Sequence, residues 1–138
     1  MLIDMFVAGD PMPDQRPRVA KRGGIIPNPR VAEWKSTVQL EGIRYMGVMS
    51  PMIDPVDLSL AFHMPIPLSW SAAKKRECAG TAKTSKPDVD NLAKLVMDAL
   101  NTIMWQDDAQ IARLTVSKYY ANDNITGVQI YADMDLWS

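Results

Sequence analysis

The chain has 138 residues, 47% hydrophobic and 22% charged, enough apolar content for one packed core and too much for a disordered chain. A formal net charge of −1 excludes a protein coated in positive charge for nonspecific DNA packaging. One cysteine, Cys78, and one histidine, His63, exclude an internal disulfide framework, a multi-cysteine zinc site and any scheme needing two imidazoles.

No apolar run approaches the roughly 20 residues of a membrane span, and the N-terminal MLIDMFVAGDP carries an acid where a signal peptide has basic residues. The expectation is a cytoplasmic protein with a single domain over residues 1–138. Residues 2–8 read as a first strand, closed by the turn-forming Gly9-Asp10-Pro11. Residues 10–30 contain five prolines and Gly23-Gly24, which predicts a stiff, non-helical loop. Val31, Trp34, Val38 and Tyr45 then recur at helical intervals and predict an amphipathic helix over 30–46.

Alternation of Val56, Leu58, Leu60, Phe62 and Met64 with more polar residues predicts a strand with one buried face. Residues 71–86 are polar, small and basic and read as a mobile loop. Leu92, Leu95, Val96, Ala99, Leu100 and Ile103 follow the spacing of an amphipathic helix, with Asn91, Lys94, Asp98 and Asn101 on its other face. A turn leads into strand-like residues 110–120, and residues 127–132 read as a last strand. This order predicts a mixed α/β (α+β) fold, one mixed β-sheet packed with about two main helices.

The chain is electrically bipolar. Residues 1–86 hold 12 Lys or Arg against 8 Asp or Glu, and residues 87–138 hold 3 against 8. A basic front that grips an anion and an acidic back that holds a cation would give this balance.

The chemistry concentrates in KPDVDNLAK (86–94) and QDDAQI (106–111). Asp88 and Asp90 sit at or just before the first turn of the helix, where the dipole favours ionised carboxylates. Lys94 lies one turn later on the same polar face. Asp107 and Asp108 follow the helix, about 20 Å along its axis from Asp90. They approach Asp88 and Asp90 only if the next strand runs back beside the helix or a second subunit completes the site. Converging carboxylates need a counter-charge, and oxygen-only ligation points to Mg²⁺, with Mn²⁺ as a substitute, rather than zinc. Taken singly, each aspartate is more often a helix cap or a polar turn. Their joint occurrence around one helix with Lys94 favours a metal site.

KPDVDNLAKLVMDALN (86–101) followed by DDAQI (107–111) resembles the signature of the RusA-type Holliday junction resolvases, small endodeoxyribonucleases of bacteria and their phages. GDPMPDQRPR (9–18) is similar to that family's opening segment, and PLSWSAAKKR (67–76) to its central basic loop. The resemblance implies a homodimer that cuts four-way junction DNA with Mg²⁺, in recombination and repair. Asp88, Asp90 and Asp108 match the family's metal-binding catalytic aspartates and Lys94 its catalytic lysine, with Asp107 beside the motif as a further metal ligand. With that motif present, Arg16, Arg18, Lys21 and Arg22 in the first loop, and Lys74, Lys75, Arg76 and Lys86 in the second, are expected to grip DNA phosphates. Trp70 is either a base-stacking residue or packing under its loop, and Trp34 and Trp105 are expected in the core. His63 is expected at the surface or satisfied by a hydrogen bond, and Cys78 as a thiol in a flexible loop. The rival readings are a nuclease for other branched DNA and a non-catalytic branched-DNA-binding module.

Overall fold

A computed structural model describes residues 1–15, 18, 19, 21–26 and 28–135, with the backbone alone at 18, 19, 25 and 26. Four strands form the sheet: β1 (Leu2–Ala8), β4 (Val56–Met64), β5 (Ile111–Tyr120) and β6 (Gly127–Asp133), in the order β1-β6-β4-β5. β6 pairs antiparallel with both β1 and β4, whereas β4 and β5 are parallel. Parallel neighbours need a crossover. Here it contains α2 (Ala72–Cys78) and α3 (Val89–Leu100). A two-residue pairing of β2 (Arg18–Val19) with β3 (Ile25–Ile26) precedes α1 (Pro29–Met46).

The predicted periodicities become the core. Val56, Leu58, Leu60, Phe62 and Met64 are buried on one sheet face, alongside Ile3, Val7, Val128 and Ile130 from the flanking strands. Trp34 and Val38 of α1 and Leu92, Leu95, Val96, Ala99 and Leu100 of α3 join the same cluster. Each such aliphatic side chain contributes about 1.5–3 kcal/mol by leaving water. The two helices meet closely at Gly42, where a Cβ would stand 2.6 Å from Leu100 Cδ2. α1 starts where Asn28 accepts a hydrogen bond from Arg30 N at 3.0 Å and Pro29 takes the first helical position.

Three expectations change. The predicted mobile loop at 71–86 contains α2, capped by Ser71, whose Oγ accepts from Lys74 N at 3.2 Å. Cys78 is therefore the last residue of a helix and stands beside the Lys75 carbonyl, not in a loop. α2 buries no residue, so it left no apolar periodicity to read. Beyond it, residues 80–83 add to the edge of β5: Gly80 N donates to Tyr120 O, Tyr120 N to Thr81 O, and Lys83 N to Lys118 O. α3 ends at Leu100 rather than reaching Ile103, because Thr102 takes a positive φ of 68°. The proline-rich segment is non-helical, but the β2–β3 pairing lies within it. Among the described residues no helix is long and apolar enough to cross a membrane.

Candidate metal-binding site

The N-terminus of α3 gathers the first set of predicted residues. Asp88 is the N-cap by backbone geometry, yet its carboxylate makes no capping hydrogen bond. Both of its oxygens instead accept from the Lys86 ammonium at 2.9 Å. Asp90 is exposed in the first turn, at the positive end of the helix dipole. Lys94, one turn on, lies 3.3 Å from the Asp14 carboxylate, and Asp14 N donates to Asn91 O at 2.9 Å. Those contacts dock residues 13–15 against α3 across an open cleft of about 580 Å³ floored by Pro87, Asp88 and Asn91.

The segment before the helix is held from the sheet. Lys118 of β5 donates to the Pro87 carbonyl at 2.6 Å and also to that of Ser85. The Lys86–Pro87 peptide between them is cis. Asp14 and Lys118 were not among the predicted site residues. Asp14 sits inside the quoted opening segment but has no patterned neighbour, and Lys118 is one residue in a strand until the sheet turns it toward Pro87.

Asp108 stands at the other end of α3, as the first residue of a 3₁₀ turn over Asp108–Gln110. Its Oδ1 accepts from the fully buried Trp105 Nε1 at 2.7 Å, and its own N–H donates to Asn101 Oδ1 at 3.1 Å. Burial pushes the Asp108 carboxyl above its ordinary value. The Trp105 hydrogen bond opposes that rise, and the negative charges of Asp98 and Asp107 add to it. Asp107 is occupied structurally. Its Oδ1 accepts from Ala109 N at 2.9 Å while its N–H donates to Gln110 Oε1 at 2.8 Å, a reciprocal cap. Gln110 Nε2 in turn donates to the carbonyls of Met52 and Asp54 at 2.8 and 3.2 Å.

One chain does not bring these acids together. The strand after α3 does run back beside it, but Asp107 and Asp108 precede that strand, so the return delivers Lys118 to Pro87 and leaves the acids at the far end. Twelve helical residues separate the two clusters by about 18 Å. Among the described residues no group of three or more His, Cys, Asp or Glu side chains could hold a metal. Two carboxylates at a helix N-terminus still suit Mg²⁺, which keeps several waters and takes one or two carboxylates plus substrate phosphate. The Lys86 ammonium across both Asp88 oxygens shows that this carboxylate attracts a cation.

The predicted DNA-gripping residues are distributed over the surface. Lys74 and Arg76 are exposed on α2, Lys75 is half-buried there, and Lys21 and Arg22 are exposed in the turn between β2 and β3. Lys74 Nζ lies 3.8 Å from the centre of the Trp70 ring, which packs against Tyr120 at 5.5 Å. Trp70 therefore packs under its segment. Arg16 and the Arg18 side chain lie outside the described residues. His63 sits between Phe6 and Tyr119 on the sheet face opposite the helices, at ring-centre distances of 6.2 and 6.1 Å. Trp34 and Trp105 are core residues, 4% and 0% exposed.

A family model for the endodeoxyribonuclease RusA matches residues 8–131, which span every element of the site. The chain is also 32% identical to the uncharacterized protein YqaN of Bacillus subtilis (strain 168) over 139 aligned positions, covering 93% of this chain and 94% of that protein. With both acid clusters, their helix and its opening loop inside the matched span, this chain belongs to the RusA endodeoxyribonuclease family.

Proposed function

We propose that the protein resolves four-way DNA junctions by paired symmetric nicks, as a Mg²⁺- or Mn²⁺-dependent homodimer acting in recombination and repair. The observation that carries the reading is the Asp88 carboxylate. It occupies a cap position without capping, stays half-exposed at an open cleft, and among the described residues is matched by the exposed Lys86 ammonium. A carboxylate with no structural task at a helix N-terminus is available to a metal. Asp88 and Asp90 would hold the ion, which supplies an activated water and neutralises the scissile phosphate. Lys86, which contacts Asp88 here, would be free to turn to the DNA backbone with an ion held at Asp88. Lys94 stabilises negative charge on the leaving oxygen once the substrate displaces Asp14. Lys21, Arg22, Lys74, Lys75 and Arg76, with Arg16 and Arg18, bind flanking phosphates, which makes affinity strongly salt-dependent. Asp108 works from the partner protomer, so each of two equivalent sites draws on both chains, matching the approximate two-fold symmetry of a junction.

The separation of the acids within one chain favours a second reading, a branched-DNA-binding module without catalysis. A labelled synthetic four-way junction with matched linear duplex separates the two. Symmetric nicks confined to the junction, lost in Asp88→Asn while binding persists, support the resolvase. Binding without nicks in both Mg²⁺ and Mn²⁺ refutes it.

A further inference from the structure

A second cavity, of about 210 Å³, opens between the end of β1 and α1, and no residue of either acid cluster lines it. Gly9, Asp10 and Met12 form its loop wall. That wall is pinned to the start of β6. Gly9 N donates to Thr126 O at 3.2 Å, and Asp10 Oδ1 accepts from the Thr126 hydroxyl at 2.7 Å. Gly9 has a φ of 142°, and a Cβ there would stand 2.8 Å from Trp34 Cζ3, so the loop lies directly on the indole ring.

The other wall is one face of α1, where Arg30, Glu33, Trp34 and Thr37 follow the i, i+3, i+4, i+7 spacing. Arg30 and Glu33 carry opposite charges three residues apart, yet among the described residues neither is in an ion pair. Trp34 is buried, and its Nε1 donor meets no acceptor among the described residues. Buried donors are normally paired, so this one is a group left to be satisfied. The cavity thus combines a flat aromatic wall, the carboxylates of Asp10 and Glu33, and one guanidinium. Its volume falls below the roughly 300–1,000 Å³ of drug-sized ligand sites, which suits a single flat ring system.

We propose that this cavity receives a guanine unstacked from the DNA strand in the neighbouring cleft and so sets a base preference for nicking; the proposal rests on the junction-DNA reading above. The loop joins the two places, since Met12 lines the cavity and the next three residues, 13–15, line the cleft at Asp88. A strand held in that cleft therefore passes the mouth of the cavity. Guanine alone among the four DNA bases offers two adjacent donors on one edge, N1–H and the 2-amino group, and two adjacent acceptors, O6 and N7, on the next. The Glu33 carboxylate answers the first edge and the Arg30 fork the second. Asp10 leaves its second oxygen to the 2-amino group, and Trp34 and Met12 close on the ring. Unstacking costs least at a branch point, where a base already lacks a neighbour.

The test places guanine, hypoxanthine, 7-deazaguanine or adenine at each nucleotide flanking the cut in otherwise identical junctions. Hypoxanthine lacks the 2-amino group and 7-deazaguanine lacks N7, so each analogue deletes one half of the recognition. At one position guanine should be nicked about 5- to 100-fold faster than adenine, with the analogues between them. Glu33→Ala should erase the distinction between guanine and hypoxanthine, and Arg30→Met that between guanine and 7-deazaguanine, each leaving the other distinction in place. The four bases on the wild-type protein carry the test should a variant not fold. Nicking indifferent to the base at every position overturns the pocket and leaves the resolvase reading standing. A guanine preference that both variants retain does the same. Binding of the same junctions in EDTA reads the pocket without chemistry. Base discrimination there, with no nicking in Mg²⁺ or Mn²⁺, refutes the nuclease and keeps the pocket, whereas equal binding of all four with no nicking overturns both.

Discussion

Lys118 is the test of how Asp88 is positioned. Its ammonium donates to the Ser85 and Pro87 carbonyls and so ties the entry to α3 onto β5. Lys118→Met preserves the aliphatic stem and deletes both bonds. A hydrogen bond to a charged group contributes about 1.5–3 kcal/mol, but a lysine loses about 2 kcal/mol of side-chain freedom on fixing its ammonium. Ser85 is exposed and Pro87 half-buried, so water replaces part of what is lost. The expected destabilisation is about 1–3 kcal/mol, a fall of several degrees in Tm for a chain of this size. Because residues 85–87 lead directly into Asp88, the Mg²⁺ concentration for half-maximal nicking should also rise several-fold, with junction affinity little changed. Thermal unfolding with single-turnover nicking across a Mg²⁺ titration measures both. An unchanged Tm with an unchanged Mg²⁺ dependence would refute the tether.

Two further outcomes follow from local geometry. Gly42→Ala gains about 1 kcal/mol in helix propensity but drives a methyl to 2.6 Å from the fully buried Leu100 Cδ2, and overpacking costs about 1–3 kcal/mol. Net destabilisation in chemical denaturation is expected, and a more stable variant would mean that α1 and α3 are free to separate. For Asp108, burial raises the folded-state pKa above the ordinary 3.8, so the folded protein holds that proton more tightly than the unfolded chain. Its contribution to stability is complete below the ordinary value and is lost as pH rises through the elevated one. In EDTA, Asp108→Asn should then melt above wild type at neutral pH, with the gap closing toward pH 4. A gap independent of pH would contradict the shift.

Most of the fold was legible because burial leaves a period. The alternation at Val56–Met64 and the helical spacing from Leu92 mark buried faces, and the strand stands where its pattern places it, while the helix, read through Ile103, stops at Leu100. α2 left no such mark, since a seven-residue helix that fully buries no residue carries only its Ser71 cap as a signal. Of the site, the paired aspartates and Lys94 were visible as a motif on one amphipathic helix. What each carboxylate touches was not. Asp107 caps a 3₁₀ turn, Asp108 takes the Trp105 indole, and Lys94 meets Asp14, all through backbone geometry that spacing does not encode. The Lys118 contact depends on which strand neighbours α3, a property of the sheet order alone.

The reciprocal cap at Asp107 has a reach beyond its own turn. Gln110, which closes that cap, also grips the carbonyls of Met52 and Asp54 in the connection between α1 and β4. The position of Asp108 is thus inherited from a stretch of chain that lies outside both acid clusters. On the reading proposed above, loosening that connection would misaim the acid while the core of the sheet stays intact. With Asp108 in the proposed role, nicking would then be lost on warming before the sheet melts, and the length of the α1–β4 connection would set how that carboxylate is aimed.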